Sequence, residues 1–534
     1  MNNRVRLLDC TLRDGGYINE WNFGREAIGR ILFGLSKSNL DIIECGFLMN
    51  RPYNPDFSLF HGVEDVYTVL PEKPKGQMVV AMIAIGEKEI DPALLSDADK
   101  GPVDGIRLTF HQHEIEKALQ YGKVIMEKGY KLFMQPVGMT GYSDGDMIDL
   151  IGKINELNPY AFYIVDTLGV MYKKDLIRRV FLVDNNLKKG ICMGFHSHNN
   201  LQMSFANSQA LIDMDMDRDI IIDCSANGMG RGAGNLCSEL LMDYINKNME
   251  KRYDVLPVLE IIDEYLMAIY MSVPWGYSAA YFLAAINDCH PNYASFLLAR
   301  QSINMRTISS ILEQIPKGKR REFDKGLMEQ LYQSYQVNAV DDIQVIGKLR
   351  RAVDGKKVLV VAPGRTVVDK KAAIQAYLKK NQPVVISINF VPKDIPVDYV
   401  FVGNSKRFQM LKNRLEPEKM ILTSNIQDAP EGALVVNYSD LTNPSADAAD
   451  SSGMMLLKLL IKISVKGADL AGFDGFRPNQ VNNYVSESMV GISDPLALEE
   501  KNLAMNQQLN AYAEDISLRF VTPTKYKLKK AHTR

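Results

Sequence analysis

The chain has 534 residues, enough for roughly three domains of ordinary size. Its 62 basic and 64 acidic residues nearly cancel, to a formal charge of −2, which gives no global electrostatic case for binding nucleic acid. No apolar run approaches the ~20 residues of a membrane span, the N-terminus lacks an apolar leader core and the six cysteines form no Cys-x-x-Cys pair, so we expect a cytoplasmic protein with reduced thiols.

Roughly the first 230 residues alternate short β-branched runs with longer helical patterns. Several runs are almost entirely apolar, as expected for parallel strands that are buried on both faces. Eight such units predict a (β/α)8 TIM barrel, and the alternative is a doubly wound open sheet. The predicted strands are Val5–Asp9, Asp41–Phe47, Gln77–Ile85, Asp104–Phe110, Tyr130–Val137, Ala161–Val165, Ile191–His196 and Asp219–Cys224, and the clearest helices are Phe23–Ser38, Glu114–Lys128, Lys173–Asn185 and Asn200–Asp213.

Polar side chains cluster directly after the predicted strands. In a TIM barrel the carboxyl ends of the strands form the rim that carries the chemistry. The pattern therefore favours the barrel and predicts an active site at this rim. The segments in question are Asp9–Asp14, Glu44, His111–His113, Asp166–Gly169, His196–His198 and the glycine-rich segment that ends at Asn235.

His196 and His198 stand two residues apart at the end of the seventh predicted strand. Side chains alternate faces along a strand, so both imidazoles project in the same direction and can reach one cation. Barrel closure brings the loop after the first strand near, and this loop offers the carboxylate of Asp14. Two imidazoles and one carboxylate suit Mn²⁺, Mg²⁺, Fe²⁺ or Zn²⁺. A structural or surface role for the two histidines is the alternative.

Arg13 precedes this carboxylate, and its guanidinium offers a fixed planar charge. It can form a salt bridge at the rim, or it can stabilise the oxygen of a developing enolate. A metal ion beside it would polarise the same oxygen as a Lewis acid. Together, the two groups predict chemistry next to a ketone.

The segment 228–233 also fits the Gly-x-Gly-x-x-Ala form of a dinucleotide fingerprint. That fingerprint requires a second strand after its helix, with an acidic residue about 20 positions further on. Here helical sequence continues from Leu236 past Glu264. Close approach of the backbone to a substrate or to the metal site explains the glycines better than dinucleotide binding.

The later part of the chain predicts two further regions. Residues 251–350 read as a helical extension of the barrel at 1–250, and residues 355–525 read as a smaller Rossmann-like α/β domain. A strand that runs into Pro363-Gly364 and then a helix can present backbone N–H groups to a phosphate. A nucleotide or nucleotide-sugar near Gly364 is therefore one hypothesis, and a docking or regulatory domain is the other. The predicted strands are Lys357–Ala362, Val384–Asn389, Tyr399–Val402, Met420–Thr423, Leu434–Asn437 and Asp469–Gly472.

Five short motifs lie at the barrel strand ends. They are Asp9-x-Thr-Leu-Arg-Asp-Gly15, Glu44-x-Gly46-Phe47, Asp166-Thr-x-Gly169, Gly194-Phe-His-x-His-Asn199 and Gly228-Met-Gly-x-Gly-Ala-Gly-Asn235. Together they resemble the DRE-TIM metallolyases, a superfamily that includes 4-hydroxy-2-oxovalerate aldolase, HMG-CoA lyase and isopropylmalate synthase. The glycine spacing and the Leu-Arg-Asp-Gly run look most like the aldolase branch, and the resemblance covers about the first 290 residues.

The resemblance implies roles for individual residues. It implies metal ligation by Asp14, His196 and His198, with Asn235 as a further residue of the metal site. It also implies stabilisation of an enolate by Arg13. We expect Glu44 and Asp166 to support these groups rather than to bind the ion directly.

The sequence departs from the aldolase branch at the general base. That branch carries a histidine three residues after the ligand aspartate, where this chain has Tyr17. Tyrosine is a poor base at neutral pH because its ordinary pKa is about 10. Three possibilities stay open: Tyr17 acts through water, His111 or His113 replaces the imidazole, or the substrate differs. The segment 275–281 resembles one that supplies a tyrosine in that branch, which makes Tyr277 a further candidate.

The resemblance implies an aldolase that splits a 4-hydroxy-2-oxoacid into an aldehyde and pyruvate, with Mn²⁺ or Mg²⁺ as the expected metal and Zn²⁺ or Fe²⁺ as alternatives. A Claisen-type acyltransferase that uses acyl-CoA is a second reading. A catalytically silent barrel that serves as a binding module is a third. The expected partners are a small 2-oxoacid substrate and a second copy of the chain or a partner enzyme, with neither nucleic acid nor membrane.

Overall fold

A computed structural model describes residues 5–300, 303–336, 338–443, 451–477, 483–485 and 495–529. The chain divides into two compact units, Met1–Ser295 with Pro316–Phe323, and Phe296–Ile315 with Asp324–Arg534. The division places the predicted helical extension, residues 251–350, partly in each unit. Within the described ranges, no helix combines the length and the apolar character that crossing a membrane requires.

The first unit contains a closed barrel of eight parallel strands, as predicted. The strand order is β1-β9-β8-β7-β6-β5-β4-β2, and β1 pairs with β2 to close the ring. The short strand β3 pairs with the C-terminal end of β2. Each predicted strand agrees with the observed strand to within one residue at either end. The strands are β1 (Val5–Asp9), β2 (Ile42–Leu48), β3 (Leu59–Phe60), β4 (Met78–Ala84), β5 (Gly105–Phe110), β6 (Lys131–Pro136), β7 (Ala161–Asp166), β8 (Cys192–Ser197) and β9 (Ile220–Cys224).

The helices of this unit cover the barrel with their apolar faces. In α2, for example, the buried side chains are Ile28, Ile31, Leu32 and Leu35, which share one face of a 3.6-residue helix. The helices are α1 (Gly16–Asn19), α2 (Arg25–Lys37), α3 (Ile115–Glu127), α4 (Asp144–Leu157), α5 (Lys173–Asn186), α6 (Ser204–Asp213), α7 (Ser238–Asn248), α8 (Leu256–Ile261), α9 (Met267–Ser272), α10 (Ala279–Ile286) and α11 (Pro291–Ala299), the last of which runs past residue 295. A π-helical turn, Ile262–Leu266, joins α8 to α9.

The second unit contains a sheet of seven parallel strands in the order β14-β13-β12-β11-β10-β15-β16. The first six of its strands in chain order match the sequence prediction, whereas β16 escaped it because its four residues include Ser517 and Arg519 and carry no apolar run. The strands are β10 (Val358–Val361), β11 (Val384–Ile388), β12 (Tyr399–Val402), β13 (Met420–Thr423), β14 (Leu434–Val436), β15 (Gly467–Ala471) and β16 (Ser517–Phe520).

The helices of the second unit flank this sheet. Most of its apolar core lies under α19, in which seven residues are buried. The helices are α12 (Met305–Glu313), α13 (Lys325–Gln336), α14 (Ile343–Val353), α15 (Thr366–Asp369), α16 (Lys371–Asn381), α17 (Ser405–Leu411), α18 (Tyr438–Leu441), α19 (Ser452–Lys462) and α20 (Pro495–Tyr512).

Candidate metal centre

Asp14, His196 and His198 meet at the mouth of the barrel. Asp14 lies in the turn after β1. His196 is the penultimate residue of β8, and His198 is the first residue after this strand. One potential ligand atom from each residue lies within 4.8 Å of the other two, and all three side chains are buried. The three residues that the sequence predicted as ligands are therefore close enough to share one ion.

The protonation of these groups favours a cation. Although burial alone would raise it, the guanidinium charge of Arg13 holds the pKa of Asp14 well below its usual range. Burial lowers the pKa of His198 to about 3, so its imidazole is neutral at physiological pH. A carboxylate with a neutral imidazole is the form in which these residues bind metals. The Nδ1 atom of His198 is buried without a hydrogen-bond partner, which leaves it available to an ion.

Asn235 completes this cluster. Its Nδ2 donates hydrogen bonds to Asp14 Oδ2 at 2.6 Å and to the carbonyl of Met229 at 3.1 Å, while its Oδ1 is buried without a partner. A Cβ atom on Gly230 would approach Asn235 Nδ2 to 2.3 Å and Asp14 Oδ2 to 2.9 Å. The glycine at this position therefore lets the backbone pass directly beside the metal site, as the sequence suggested.

A chain of buried charged side chains connects two of the presumptive ligands through the barrel interior. Arg13 Nη1 contacts Asp14 at 2.7 Å and Arg13 Nε contacts Glu44 at 2.9 Å. Glu44 also accepts a hydrogen bond of 2.5 Å from Arg107, whose guanidinium donates a second one to Asp223. We call this set the buried charge chain; its members are Asp14, Arg13, Glu44, Arg107, Asp223 and His196.

Asp223 accepts a hydrogen bond from His196 Nδ1 at 2.9 Å. This contact leaves Nε2 of His196 as the atom that faces an ion, because the hydrogen bond to a carboxylate fixes the tautomer and the ring orientation. Arg107 lowers the pKa of Asp223, although burial alone would raise it, so the carboxylate stays charged behind the imidazole. Asp223 is thus a positioning residue that the sequence analysis did not identify.

The charges of the chain do not balance by themselves. Three carboxylates face two guanidinium groups, which leaves one net negative charge in a buried site when both histidines are neutral. A divalent cation would reverse that charge to one net positive. Buried charges are stable only when they are paired, so the arrangement fits a divalent ion.

One guanidinium nitrogen of Arg13 has no hydrogen-bond partner. Its Nη1 and Nε bind Asp14 and Glu44, whereas Nη2 is buried without a hydrogen-bond partner. The two salt bridges hold the guanidinium plane in place, so Nη2 offers a fixed donor to an incoming oxygen. Glu44, which the sequence analysis assigned to support rather than ligation, is one of these anchors.

The metal cluster opens into a cavity of about 460 Å³. Tyr17 lies in its wall, where its hydroxyl donates to the two carboxylate oxygens of Glu87 at 3.0 and 3.2 Å. Burial raises the pKa of Tyr17, and Arg231 lies 4.0 Å above its ring. Tyr17 is therefore held in its neutral form, with its hydroxyl proton directed at Glu87.

The predicted site residues His111 and Tyr277 differ in whether they line this cavity. His111 lines the cavity, with 38% of its side chain exposed and Nδ1 at 3.7 Å from a carboxylate oxygen of Glu322. Tyr277 is 59% exposed and is not among the residues that line this cavity. The structure thus brings His111, but not Tyr277, to the candidate site.

Asp166 has a local structural role. Its carboxylate accepts hydrogen bonds from the backbone N–H groups of Val170 at 3.0 Å and Met171 at 2.9 Å. Its backbone carbonyl accepts a hydrogen bond from the N–H of His198 at 3.2 Å. Asp166 therefore shapes the loop after β7 and supports the backbone of a ligand without reaching the metal position.

Several cavity residues were missed at the sequence level. His290 is buried in the wall, and its Nε2 lies 3.1 Å from Arg231 Nη1. Arg321 and Glu322 line the cavity from the segment between α12 and α13. Of these residues, only Arg231 lies within a motif, the glycine-rich segment, that indicated a functional site. His290, Arg321 and Glu322 lie more than 50 positions after the last barrel motif, so no local pattern linked them to the site.

The comparisons with known proteins agree with this geometry. The HMGL-like family model matches residues 4–261. The barrel is an HMGL-like domain. The predicted resemblance to the DRE-TIM metallolyases is therefore confirmed for this part of the chain.

Curated relatives of the HMGL-like domain carry the aldolase name. 4-Hydroxy-2-oxovalerate aldolase 2 of Comamonas testosteroni is 27% identical over 274 residues, which is 50% of this chain and 75% of the relative. 4-Hydroxy-2-oxovalerate aldolase of Carboxydothermus hydrogenoformans is 26% identical over 275 residues, 49% of this chain and 77% of the relative. A solved N-terminal domain from Bacteroides vulgatus, provisionally described as an aldolase, is 26% identical with a TM-score of 0.48 and covers 55% of this chain and 96% of its own.

Proposed function

We propose that the HMGL-like domain is a divalent-metal-dependent carbon–carbon lyase that cleaves a 4-hydroxy-2-oxoacid into an aldehyde and pyruvate. The observation that carries the proposal is the buried Asp14, His196 and His198 cluster beside an arginine with one unpaired nitrogen. The names of the relatives, at about a quarter identity, support the same reaction class.

The metal position is built from the groups that face it. Asp14, His196 and His198 would hold the ion, and Asn235 Oδ1 is a fourth oxygen of the kind that Mn²⁺ and Mg²⁺ accept. When bound, the ion supplies Lewis-acid polarisation of the 2-oxo group.

Arg13 is the residue that receives developing negative charge. Cleavage of the C3–C4 bond leaves its electron pair on the pyruvate fragment as an enolate. A donor that is already fixed in place stabilises such an oxygen without reorganisation during the reaction. The pairing of Arg13 with Asp14 and Glu44 fixes it, and Nη2 is the free donor.

The proton on the 4-hydroxyl must leave as the aldehyde forms. We assign this step to His111, because it lines the cavity and its imidazole is accessible. The proton then returns to C3 of the enolate to give pyruvate. Tyr17 stays neutral, because burial raises its pKa, and its hydroxyl orients the carboxylate of Glu87 in the cavity wall.

The test is release of pyruvate from a panel of 4-hydroxy-2-oxoacids in the presence of Mn²⁺ or Mg²⁺. We expect Asp14→Asn and His196→Ala to lower kcat/KM by at least about a thousandfold, and to lower the bound metal measured by elemental analysis. The matched controls are Asp149→Asn and His61→Ala, whose side chains are exposed and lie outside the cavity lining.

Three results would contradict the proposal. The first is release of pyruvate that stays unchanged in both site variants. The second is turnover of acyl-CoA with a 2-oxoacid and no aldolase activity, which would identify the Claisen-type acyltransferase instead. The third is full metal content with no turnover of any substrate, which would identify the silent binding module.

A further inference from the structure

A second cavity, of about 220 Å³, lies in the C-terminal unit. It is lined by the segments that follow β10, β11 and β15, and every residue of its lining belongs to this unit. We propose that this cavity, which we call the C-terminal crevice, binds a nucleoside diphosphate group. The proposal is independent of the function proposed for the barrel.

The position of the crevice follows from the topology of the sheet. From β10 the strands β11 to β14 are added on one side and β15 and β16 on the other, so the order of strand addition reverses between β10 and β15. In parallel α/β sheets, ligands bind at the carboxyl ends of the strands where the order reverses. Pro363 and Gly364 follow β10 and Gly472 to Gly475 follow β15, and both segments line the crevice.

The charge of the lining favours an anion. Arg300, Arg407 and Lys501 contribute three positive charges from three separate elements, whereas Asp474 contributes one negative charge. Both oxygens of Asp474 are already occupied, since they accept hydrogen bonds from the backbone N–H of Thr366 at 2.7 Å and from its hydroxyl. The lining thus carries more positive than negative charge, which favours an anionic ligand such as a diphosphate.

The rest of the lining suits a planar group. Phe476 and Tyr484 pack edge to face with ring centroids 6.1 Å apart, and Phe473 and Tyr526 also face the crevice. Aromatic side chains provide stacking surfaces for a nucleobase, and this stacking tolerates different bases. Anion-binding side chains beside aromatic ones match the two parts of a nucleotide.

Asn389 supplies an independent indication. It lines the crevice just after β11, with its backbone at φ = +62°, and its Oδ1 is buried without a hydrogen-bond partner. A buried acceptor without a donor is costly, and a hydroxyl or amino group of a bound nucleotide would satisfy it.

Local packing, rather than ligand binding, explains the glycine at position 364. A Cβ on Gly364 would approach the carbonyl of Gly472 to 2.2 Å and the carboxylate of Asp474 to 2.5 Å. Close packing of the loops after β10 and β15 thus requires glycine at this position with or without a ligand. The inference rests on the charges, the rings and the unsatisfied amide of the crevice.

The experiment is isothermal titration of the full-length chain with the diphosphates of adenosine, guanosine, cytidine and uridine, in the presence of Mg²⁺. Pyrophosphate and the free nucleosides serve as partial ligands. The titrations are repeated with Asp14→Asn, which disables the metal position of the barrel. We expect at least one nucleoside diphosphate to bind at one site per chain, with the same affinity in Asp14→Asn.

The variants locate the binding site. Arg407→Gln and Lys501→Gln are each expected to weaken binding about tenfold, which is the effect of losing one charge-assisted hydrogen bond. Lys379→Gln removes the same charge from an exposed position on α16 outside the crevice, and its affinity should not change. Circular dichroism establishes that each variant is folded before titration.

Three outcomes would overturn the inference. One is the absence of binding by every diphosphate to the folded chain. Another is unchanged affinity in both Arg407→Gln and Lys501→Gln, which would place the ligand elsewhere. The third is pyrophosphate that binds as tightly as every nucleoside diphosphate, which would remove the nucleoside from the proposal.

Discussion

The barrel mouth and the C-terminal crevice both collect charged side chains, but they hold them differently. In the barrel, Arg107 and Glu44 are fully buried and each charge contacts the next. In the crevice, Arg300 and Lys501 lie over aromatic rings, at 4.7 Å from Phe296 and 5.2 Å from Phe476. The first arrangement fixes its groups before a substrate arrives, whereas the second leaves cations near the surface for an anion to recruit.

This difference separates catalysis from binding. Stabilisation of a transition state requires donors that are fixed in advance, since reorientation during the reaction consumes part of the benefit. The buried charge chain meets this requirement because its inner members, Arg13, Glu44, Arg107 and Asp223, are each held by two neighbours. The crevice offers attraction and stacking without such constraint, which suffices to hold a ligand.

The largest effect on folding should come from Arg107→Met. This substitution leaves Glu44 and Asp223 buried without their shared guanidinium, and breaking a buried ion pair costs about 3–5 kcal/mol. The free energy of unfolding can be followed in urea by tryptophan fluorescence. Both tryptophans, Trp21 and Trp275, belong to the barrel unit, so the signal reports on that unit.

Arg178→Met is the matched control in the same unit. Arg178 and Asp144 form an ion pair of 2.6 Å in which both side chains are more than half exposed, and such pairs contribute about 0–1 kcal/mol. If Arg107→Met lowers the free energy of unfolding by less than about 1 kcal/mol, the buried charge chain stabilises the fold no more than an exposed ion pair does. That result would contradict the distinction between the fixed charges of the barrel and ordinary surface charges.

A second prediction concerns the pH dependence of barrel stability. Burial raises the pKa of Asp9 to about 6, above its ordinary value of 3.8. The folded chain therefore holds this proton more tightly than the unfolded chain, so Asp9 makes the free energy of unfolding fall as the pH rises from about 4 to 6. Asp9→Asn should remove a fall of up to about 3 kcal/mol across this range.

The measurement is a series of urea titrations between pH 4 and 6.5, again by tryptophan fluorescence. Asp149→Asn, in an exposed position, should keep the slope of the unmodified chain. Identical slopes in Asp9→Asn and the unmodified chain would show that the Asp9 carboxyl keeps its ordinary pKa in the folded barrel.

The smallest effect is expected for Tyr17→Phe. Removal of one neutral hydrogen-bond donor should lower kcat/KM for the 4-hydroxy-2-oxoacid about tenfold and leave the pH profile unchanged. A general base contributes about 100-fold to 10,000-fold, so a larger loss with a shifted profile would assign the proton transfer to Tyr17. Tyr67→Phe, at an exposed position, is the control.

Much of the fold was accessible from the sequence because its signals are local. Each barrel strand is a short apolar run, and a parallel strand buried on both faces produces that pattern directly. The proximity of Asp14 to His196 also followed, because closure of an eight-stranded barrel places their strand ends one strand apart. The same reasoning positioned Glu44 beside the site but did not distinguish its partners.

The rest depends on packing that a sequence does not display. Arg107 sits in the middle of β5, and only its alternation with apolar neighbours hinted that a charge points into the barrel. His290 and Arg321 reach the cavity through turns far along the chain from any motif. Tyr277 shows the opposite case, since its segment resembles one of the family and suggested a site residue, yet its exposed side chain does not line the cavity.

The matched family segment ends at residue 261, yet His290, Arg321 and Glu322 line the same cavity as the metal cluster. The cavity is therefore lined by two separate stretches of the chain, one inside the matched segment and one beyond it. Substitutions in the later stretch would change the cavity wall while the cluster of Asp14, His196 and His198 stays intact.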